Sequence, residues 1–97
     1  MRTIVIEGSE KPLRCDLNVI EAICDHYGSL EAMPQKLKIS DVKYLVAEMV
    51  NEHCVFCGLP ERITPEKVGA SLTMAEYADA LSAVTGALMD CINVKKK

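Results

Sequence analysis

Residues 3–28, TIVIEGSEKPLRCDLNVIEAICDHYG, decide the fold class of this chain. The stretch begins with a β-branched run, continues through a polar segment that contains a glycine, and returns to apolar residues. This order predicts a β-hairpin with strands at about residues 2–6 and 12–15. The period of two along a strand places Ile4 and Ile6 on one face. Because a two-stranded hairpin is marginal by itself, that face is expected to pack on helices.

The second half of the same stretch predicts a helix at about residues 17–27. Asp16 is a suitable N-cap, because its side chain can accept a hydrogen bond from a free amide at the helix start. Gly28 fits the left-handed conformation that follows many helix ends. Apolar side chains at helical spacing predict a core face made of Leu17, Ile20, Ile23 or Cys24, and Tyr27.

The rest of the chain predicts three or four more helices, each with its own start or stop signals. Ser40 is expected to cap the long central helix, and Gly58 is expected to end it. Thr64 followed by proline starts a short helix. Thr73 and Glu76 form a capping box at the start of the last helix. These helices are expected at about residues 30–37, 41–57, 65–71 and 74–93.

These elements predict an α+β fold, mostly α, in which the hairpin packs on four to five helices. A chain of 97 residues is expected to form one domain, residues 1–97. Residues 94–97 are expected to form a disordered basic tail. The composition, 49% hydrophobic and 26% charged, is typical of a globular domain.

Charge and hydropathy exclude several classes of protein. The net charge is -3, and no basic cluster precedes Lys95, which argues against nucleic acid as a partner. No apolar run approaches the roughly 20 residues that span a bilayer, so no membrane partner is expected. The first residues are too short and too soon charged for a signal peptide. The chain is therefore expected in the cytosol, where its five cysteines would be free thiols.

The strongest local motif for chemistry is the sequence HCVFC at residues 53–57. A Cys-x-x-Cys pair can bind zinc, but structural zinc needs four ligands and no second close cysteine pair is present. The pair also falls at the end of a predicted helix, where the dipole opposes a thiolate. We expect inert thiols, with a zinc-stabilised interaction module as the alternative. No other combination of residues predicts catalysis, so we expect no enzyme and no cofactor.

Several segments of the chain resemble, in order, the tail assembly chaperones of long-tailed phages and prophages of Gram-positive bacteria. That family begins with a short hairpin ending in a Leu-Arg/Lys-Phe-Asp pattern, and Cys15 here replaces the usual aromatic residue. A helix with a Tyr/Phe-Gly end, a Ser/Thr-Leu-Glu step and a later Leu-Thr-x-x-Glu step follow. The matching segments are 2–8 (RTIVIEG), 12–18 (PLRCDLN), 26–28 (HYG), 29–31 (SLE) and 72–76 (LTMAE).

The resemblance implies a viral protein with a non-catalytic role in the cytoplasm of the host cell. Members of the family are thought to coat the tape-measure protein, a long helical chain that would otherwise aggregate. They are displaced as the major tail protein polymerises into the tail tube. Many are made in two forms, the longer by ribosomal frameshifting, and the lysine run at residues 95–97 is compatible with such a slip site.

Two sets of residues are then candidates for binding a partner. The central helix carries an apolar stripe. An amphipathic helix binds by laying its apolar face in a groove, so this stripe is a candidate contact surface. The last helix carries a line of small side chains that lets another helix come close, either within the molecule or in a homo-oligomer. The candidates are Val42, Leu45, Val46, Met49 and Val50 on the central helix, and Ala78, Ser82 and Gly86 on the last.

A small DNA-binding regulator is a weaker alternative. Residues 63–84 contain two predicted helices in the order of a helix-turn-helix. A recognition helix should offer Arg, Lys, Asn or Gln to base edges, and residues 74–89 contain none of these. The tail assembly chaperone is therefore the preferred hypothesis.

Overall fold

Two short antiparallel strands open the fold in the computed structural model, which describes residues 2–92. Strand β1 (Thr3–Ile6) pairs along its whole length with β2 (Ser9–Pro12). Glu7 and Gly8 form the turn between them, with φ of 52° and 79°. Positive φ at both central residues is the type I′ geometry, whose twist matches that of the flanking strands.

The return strand therefore lies earlier than the sequence predicts, and the expected strand at 12–15 is wrong. A two-residue turn reverses the chain at once, so pairing begins at Ser9. After Pro12 the chain leaves the hairpin. The Leu13 amide still donates to the Arg2 carbonyl (2.8 Å), whereas the Arg14 amide donates to the Met49 carbonyl (3.3 Å) of the central helix.

Four helices follow the hairpin within residues 2–92, and the α+β, mostly α prediction is confirmed. Two of the predicted spans agree with the structure at both ends. The predicted end of the last helix at 93 and the basic tail at 94–97 lie outside the described residues. The helices are α1 (Leu17–Tyr27), α2 (Ile39–Cys57), α3 (Pro65–Ser71) and α4 (Met74–Ile92).

The predicted helix at 30–37 is wrong, because this segment forms turns. The Ser29 hydroxyl and carbonyl both accept from the Ala32 amide, at 3.1 and 3.3 Å. Pro34 has no amide hydrogen and disfavours a helical conformation at Met33. The apolar side chains of the segment still pack on the core. The spacing of these apolar residues therefore reflects their packing on the core and not a helical conformation.

Most helix starts use the capping residues that the sequence predicts. Each capping side chain satisfies an amide that has no partner within its helix. Asp16 Oδ1 accepts from the Val19 amide (3.2 Å), and Thr64 Oγ1 accepts from the Lys67 amide (3.1 Å). At the last helix the contact is reciprocal. Thr73 Oγ1 accepts from the Glu76 amide (3.3 Å), and Glu76 Oε1 accepts from the Thr73 amide (2.8 Å).

Helix α2 begins two residues before the predicted position. Ser40 lies inside the helix and is not its cap. The capping contact comes instead from Asp41, whose Oδ2 accepts from the Lys38 amide (2.8 Å). The carboxylate also suits the positive end of the helix dipole.

The core lies where α2 packs against the hairpin and the three other helices. Ile4 and Ile6 of the hairpin are buried, as predicted. On α1 the buried side chains are Val19 and Ile23, whereas Leu17 is 82% exposed, so its placement on the core face is wrong. Leu17 points about 120° away from the direction of Ile23 around the helix. Within residues 2–92, no helix has both the length and the apolar character to cross a bilayer.

Gly58 ends α2 in the left-handed conformation, with φ of 73°. The Leu59 amide donates to the Cys54 carbonyl (2.8 Å), and the Gly58 amide donates to the Val55 carbonyl (3.1 Å). This pair of bonds is the Schellman arrangement. It starts the loop that leads to α3.

Replacing Gly58 by alanine is expected to lower the free energy of unfolding by about 1 kcal/mol, because a Cβ is disfavoured at positive φ. The matched control is Gly69→Ala within α3. There alanine favours the helix by about 0.5–1 kcal/mol, while its Cβ must displace the flexible Lys43 side chain. Urea unfolding measures both variants. Equal losses for the two would contradict the assigned role of Gly58.

Candidate partner-binding surface

The five contact residues predicted on α2 lie in the interior. Their side chains are between 0 and 5% exposed. Helix α2 packs against α1, α3, α4 and the hairpin, so its apolar stripe is covered by the molecule itself. In this conformation these side chains are not accessible to a partner, and a contact at these positions stays a prediction. The residues concerned are Val42, Leu45, Val46, Met49 and Val50.

The predicted line of small side chains on α4 is only partly open. Ala78 and Ser82 are exposed, but Gly86 is half-buried. The Arg2 guanidinium lies over Gly86, where an added Cβ would collide with it. Arg2 Nε also pairs with Asp90 Oδ2 at 3.1 Å. Arg2 therefore covers the Gly86 end of the line, whereas Ala78 and Ser82 remain accessible.

A set of exposed apolar side chains marks the end of α2 and the residue after its glycine cap. We call Val55, Phe56 and Leu59 the α2-end surface. Their exposures are 55, 65 and 44%. The sequence interpretation missed them because it treated this segment as a cysteine motif. The available signal was the only phenylalanine of the chain, placed off the apolar stripe of its helix.

The ring of Phe56 is held from one side. The Arg14 guanidinium carbon lies 3.5 Å from the ring centroid, which is a cation–π contact. Arg14 is itself fixed by an ion pair with Asp16 at 3.0 Å. Phe56 is therefore oriented before any partner arrives, while most of its surface remains accessible.

A groove of about 260 Å³ lies between the hairpin, α2 and the loop after α2. We call it the hairpin groove. Its lining combines apolar side chains with charged ones. The apolar side chains are Ile6, Val50, Cys54 and Ile63, and the charged ones are Glu7, Lys11, Glu61, Arg62 and Lys67.

Two sets of contacts shape this groove. The Asn51 side chain bonds both polar backbone groups of Ile63, donating to its carbonyl (2.9 Å) and accepting from its amide (2.8 Å). These bonds fix the loop on α2. Lys67 Nζ pairs with Glu7 Oε2 at 3.0 Å, joining α3 to the hairpin turn. The hydrogen bond and charge of Lys67 hold the pKa of Glu7 below its usual value.

A half-buried polar cluster joins α1 to the start of α2. The Tyr27 hydroxyl donates to Asp41 Oδ1 at 2.6 Å, and the Tyr44 hydroxyl donates to the Ala22 carbonyl at 3.0 Å. His26 stacks on Tyr44 with ring centroids 3.9 Å apart. Burial, with the charges of Glu48 and Asp25, raises the pKa of Tyr44 to about 12. Since the Asp41 carboxylate and both tyrosine hydroxyls have partners, the cluster stabilises the packing of α1 on α2.

The cysteine motif does not assemble a metal site among residues 2–92. Cys54 is buried, Cys57 is exposed, and Cys57 Sγ lies 3.6 Å from His53 Nε2. Within this range no group of three or more His, Cys, Asp or Glu side chains is placed to hold a metal ion. Structural zinc needs four ligands. The geometry therefore gives no support to the zinc-stabilised alternative.

The structure thus describes a small α+β module with an apolar groove and an exposed apolar helix end. No protein-family model, no curated protein and no solved structure matches the chain. Its function has to be inferred from its own residues and surfaces.

Proposed function

We propose that the chain is a non-catalytic phage tail assembly chaperone that binds tape-measure protein and helps the tail tube to assemble. The observation that carries the proposal is a pair of exposed apolar areas, the hairpin groove and the α2-end surface, each of which suits a helical partner. The resemblance at residues 2–8, 12–18 and 72–76 supports the choice of family. The proposed place of action is the cytoplasm of the host cell.

The partner in this proposal is an amphipathic helix. Such a helix binds by laying its apolar face into a groove, with anchor residues one turn apart. Ile6, Val50 and Ile63 line the groove and meet such a face. Lys11 and Arg62, also in the groove lining, favour acidic side chains beside that apolar face, and Glu61 favours a basic one.

The proposed contact residues therefore change from those of the sequence prediction. Phe56 replaces the buried stripe of α2 as the main anchor, because exposed aromatic side chains often carry much of the binding energy. Leu59 extends the same surface. Ala78 and Ser82 remain the proposed surface for self-association. In this proposal the major tail protein displaces the chaperone from the tape-measure protein by competing for these exposed positions.

Phe56→Ala tests the proposed anchor. Binding to the tape-measure protein encoded with this chain is expected to weaken at least tenfold, since removal of an anchor costs about 2 kcal/mol or more. Stability should change by less than about 1 kcal/mol, because the ring is 65% exposed and loses mainly its contact with Arg14. Co-expression, co-purification and titration with a tape-measure fragment measure the effect.

Met74→Ala is the matched control, since Met74 is 73% exposed at the start of α4. It should leave binding unchanged. Equal binding by wild type and Phe56→Ala would exclude Phe56 as the anchor. The chaperone proposal itself fails if wild-type protein neither co-purifies with tape-measure protein nor increases its solubility.

A further inference from the structure

Cys15 and Cys91 come together although they lie near opposite ends of the described chain. Cys15 belongs to the segment between β2 and α1, and Cys91 lies in the last turn of α4. Both are half-buried, and both line a cavity of about 260 Å³. The Cys91 thiol is near enough to Cys15 to raise its pKa. The fold therefore brings two thiols to the same cavity.

Contacts that do not involve sulfur hold the two segments in this position. The Arg2 carbonyl accepts from the Leu13 amide at 2.8 Å, two residues before Cys15. The guanidinium of the same arginine pairs at 3.1 Å with Asp90, the residue before Cys91. Arg2 thus links the backbone on one side of the pair to the helix on the other. The approach of the thiols follows from the packing of whole segments.

The surroundings of Cys15 define its chemistry. Burial, the neighbouring Cys91 thiol and the Asp16 carboxylate raise the pKa of Cys15 to about 12. At neutral pH Cys15 is therefore mainly a protonated thiol, so it reacts slowly with a peroxide and is a poor metal ligand. Its available reaction is to complete a disulfide with a neighbouring cysteine that has been oxidised first.

We propose that Cys15 and Cys91 form a reversible intramolecular disulfide when the protein meets a peroxide. The Cys91 sulfur attacks one oxygen of hydrogen peroxide, the O–O bond breaks, and Cys91 sulfenic acid and one water form. The Cys15 sulfur then loses its proton, attacks the Cys91 sulfur and displaces the second water. Two thiols are oxidised to one disulfide, and two electrons reduce the peroxide to two waters.

The bond would fasten the end of α4 to the junction between the hairpin and α1. The loop that it closes includes all four helices, and a disulfide across a long loop restricts the unfolded chain most strongly. The oxidised form is therefore expected to be more resistant to heat, and a thiol reductant is expected to reverse the change. The other three cysteines serve as internal controls.

The test treats the full chain with about one equivalent of hydrogen peroxide under dilute conditions. We expect a mass loss of about 2 Da, a melting temperature raised by about 10 °C or more, and reversal by dithiothreitol. Tryptic mapping should join the peptides 15–36 and 68–95. Cys24→Ser and Cys57→Ser should behave as wild type, and Cys24→Ser also removes the second cysteine of peptide 15–36.

Cys15→Ser and Cys91→Ser should each abolish both the mass loss and the rise in melting temperature. Wild-type peptide mapping needs no variant, so the proposal stays testable if one of these fails to fold. A wild-type protein that keeps all five thiols would overturn it. A disulfide mapped to any other pair, or a dimer linked through exposed Cys57, would also overturn it.

Discussion

Replacing Leu45 by alanine is expected to lower the free energy of unfolding by about 2–5 kcal/mol. Leu45 is fully buried on α2, where the core is formed. Truncation removes apolar contacts on a helix that is surrounded by packed elements, so the cavity can collapse only partly. Small domains have a total stability of about 5–15 kcal/mol. A large part of the stability of this chain therefore depends on one side chain.

Leu17→Ala is the matched control for this prediction. It makes the same chemical change on a helix, but Leu17 is 82% exposed, so the expected change is below about 0.5 kcal/mol. Urea unfolding followed by circular dichroism compares the two variants. Similar losses for both would contradict the assignment of α2 to the core. Because Leu45 is buried, weaker partner binding by a Leu45 variant would result from unfolding and not from the loss of a direct contact.

Replacing Asp41 by asparagine is expected to lower the free energy of unfolding by about 2–3 kcal/mol. The two carboxylate oxygens accept from different donors, the Tyr27 hydroxyl at 2.6 Å and the Lys38 amide at 2.8 Å. The asparagine side chain has one acceptor oxygen, so its NH2 group must face one of these donors and that hydrogen bond is lost. Because Asp41 is only 7% exposed, water cannot replace the lost bond easily.

The same contacts make this contribution depend on pH. Burial alone would raise the pKa of Asp41, but the Tyr27 hydroxyl, the Lys38 amide and the nearby charges of Lys38 and His26 lower it below its usual value. A lowered folded-state pKa stabilises the protein above the unfolded-state pKa. This stabilisation is expected to diminish below about pH 5 and to be lost once the pH falls through the folded-state pKa.

Unfolding of wild type and Asp41→Asn across the acidic range measures the effect as a difference between the two proteins. That difference should be full near neutral pH and should shrink as the pH falls. Using the difference matters because Asp16 and Glu7 also have lowered pKa values and lose their own contributions in acid. Asp25→Asn, at an exposed position of α1, should change stability little. A difference that stays constant with pH would contradict the role assigned to Asp41.

The sequence predicted those parts of the fold that depend on local chemistry. A capping side chain such as Asp16 or Thr73 acts within three residues, so its role can be read without knowing the tertiary structure. The return strand was misplaced because its position depends on the turn type, which Glu7 adopts with an unusual positive φ. The segment 30–37 was taken for a helix because its apolar spacing reflects packing on the core.

The contact surface was harder to predict than the fold. Periodicity identifies the apolar face of α2, but it does not say whether the rest of the chain covers that face. Leu45 and Phe56 lie on the same helix, and only the tertiary arrangement buries one and exposes the other. In the same way, the pattern around Gly86 gave no sign that Arg2 lies over it. Such outcomes depend on residues far apart in sequence.

The ion pair between Glu7 and Lys67 has a consequence for the conditions in which the groove is studied. Both side chains line the groove and both are exposed, at 58 and 54%. Exposed ion pairs are screened as ionic strength rises, because the Debye length falls to about 8 Å at physiological salt and to about 3 Å at 1 M. The apolar lining formed by Ile6 and Val50 has no such dependence. The strength of the Glu7–Lys67 ion pair in the groove thus depends on the salt concentration of the medium, whereas the position of the apolar lining depends on the packing of the core.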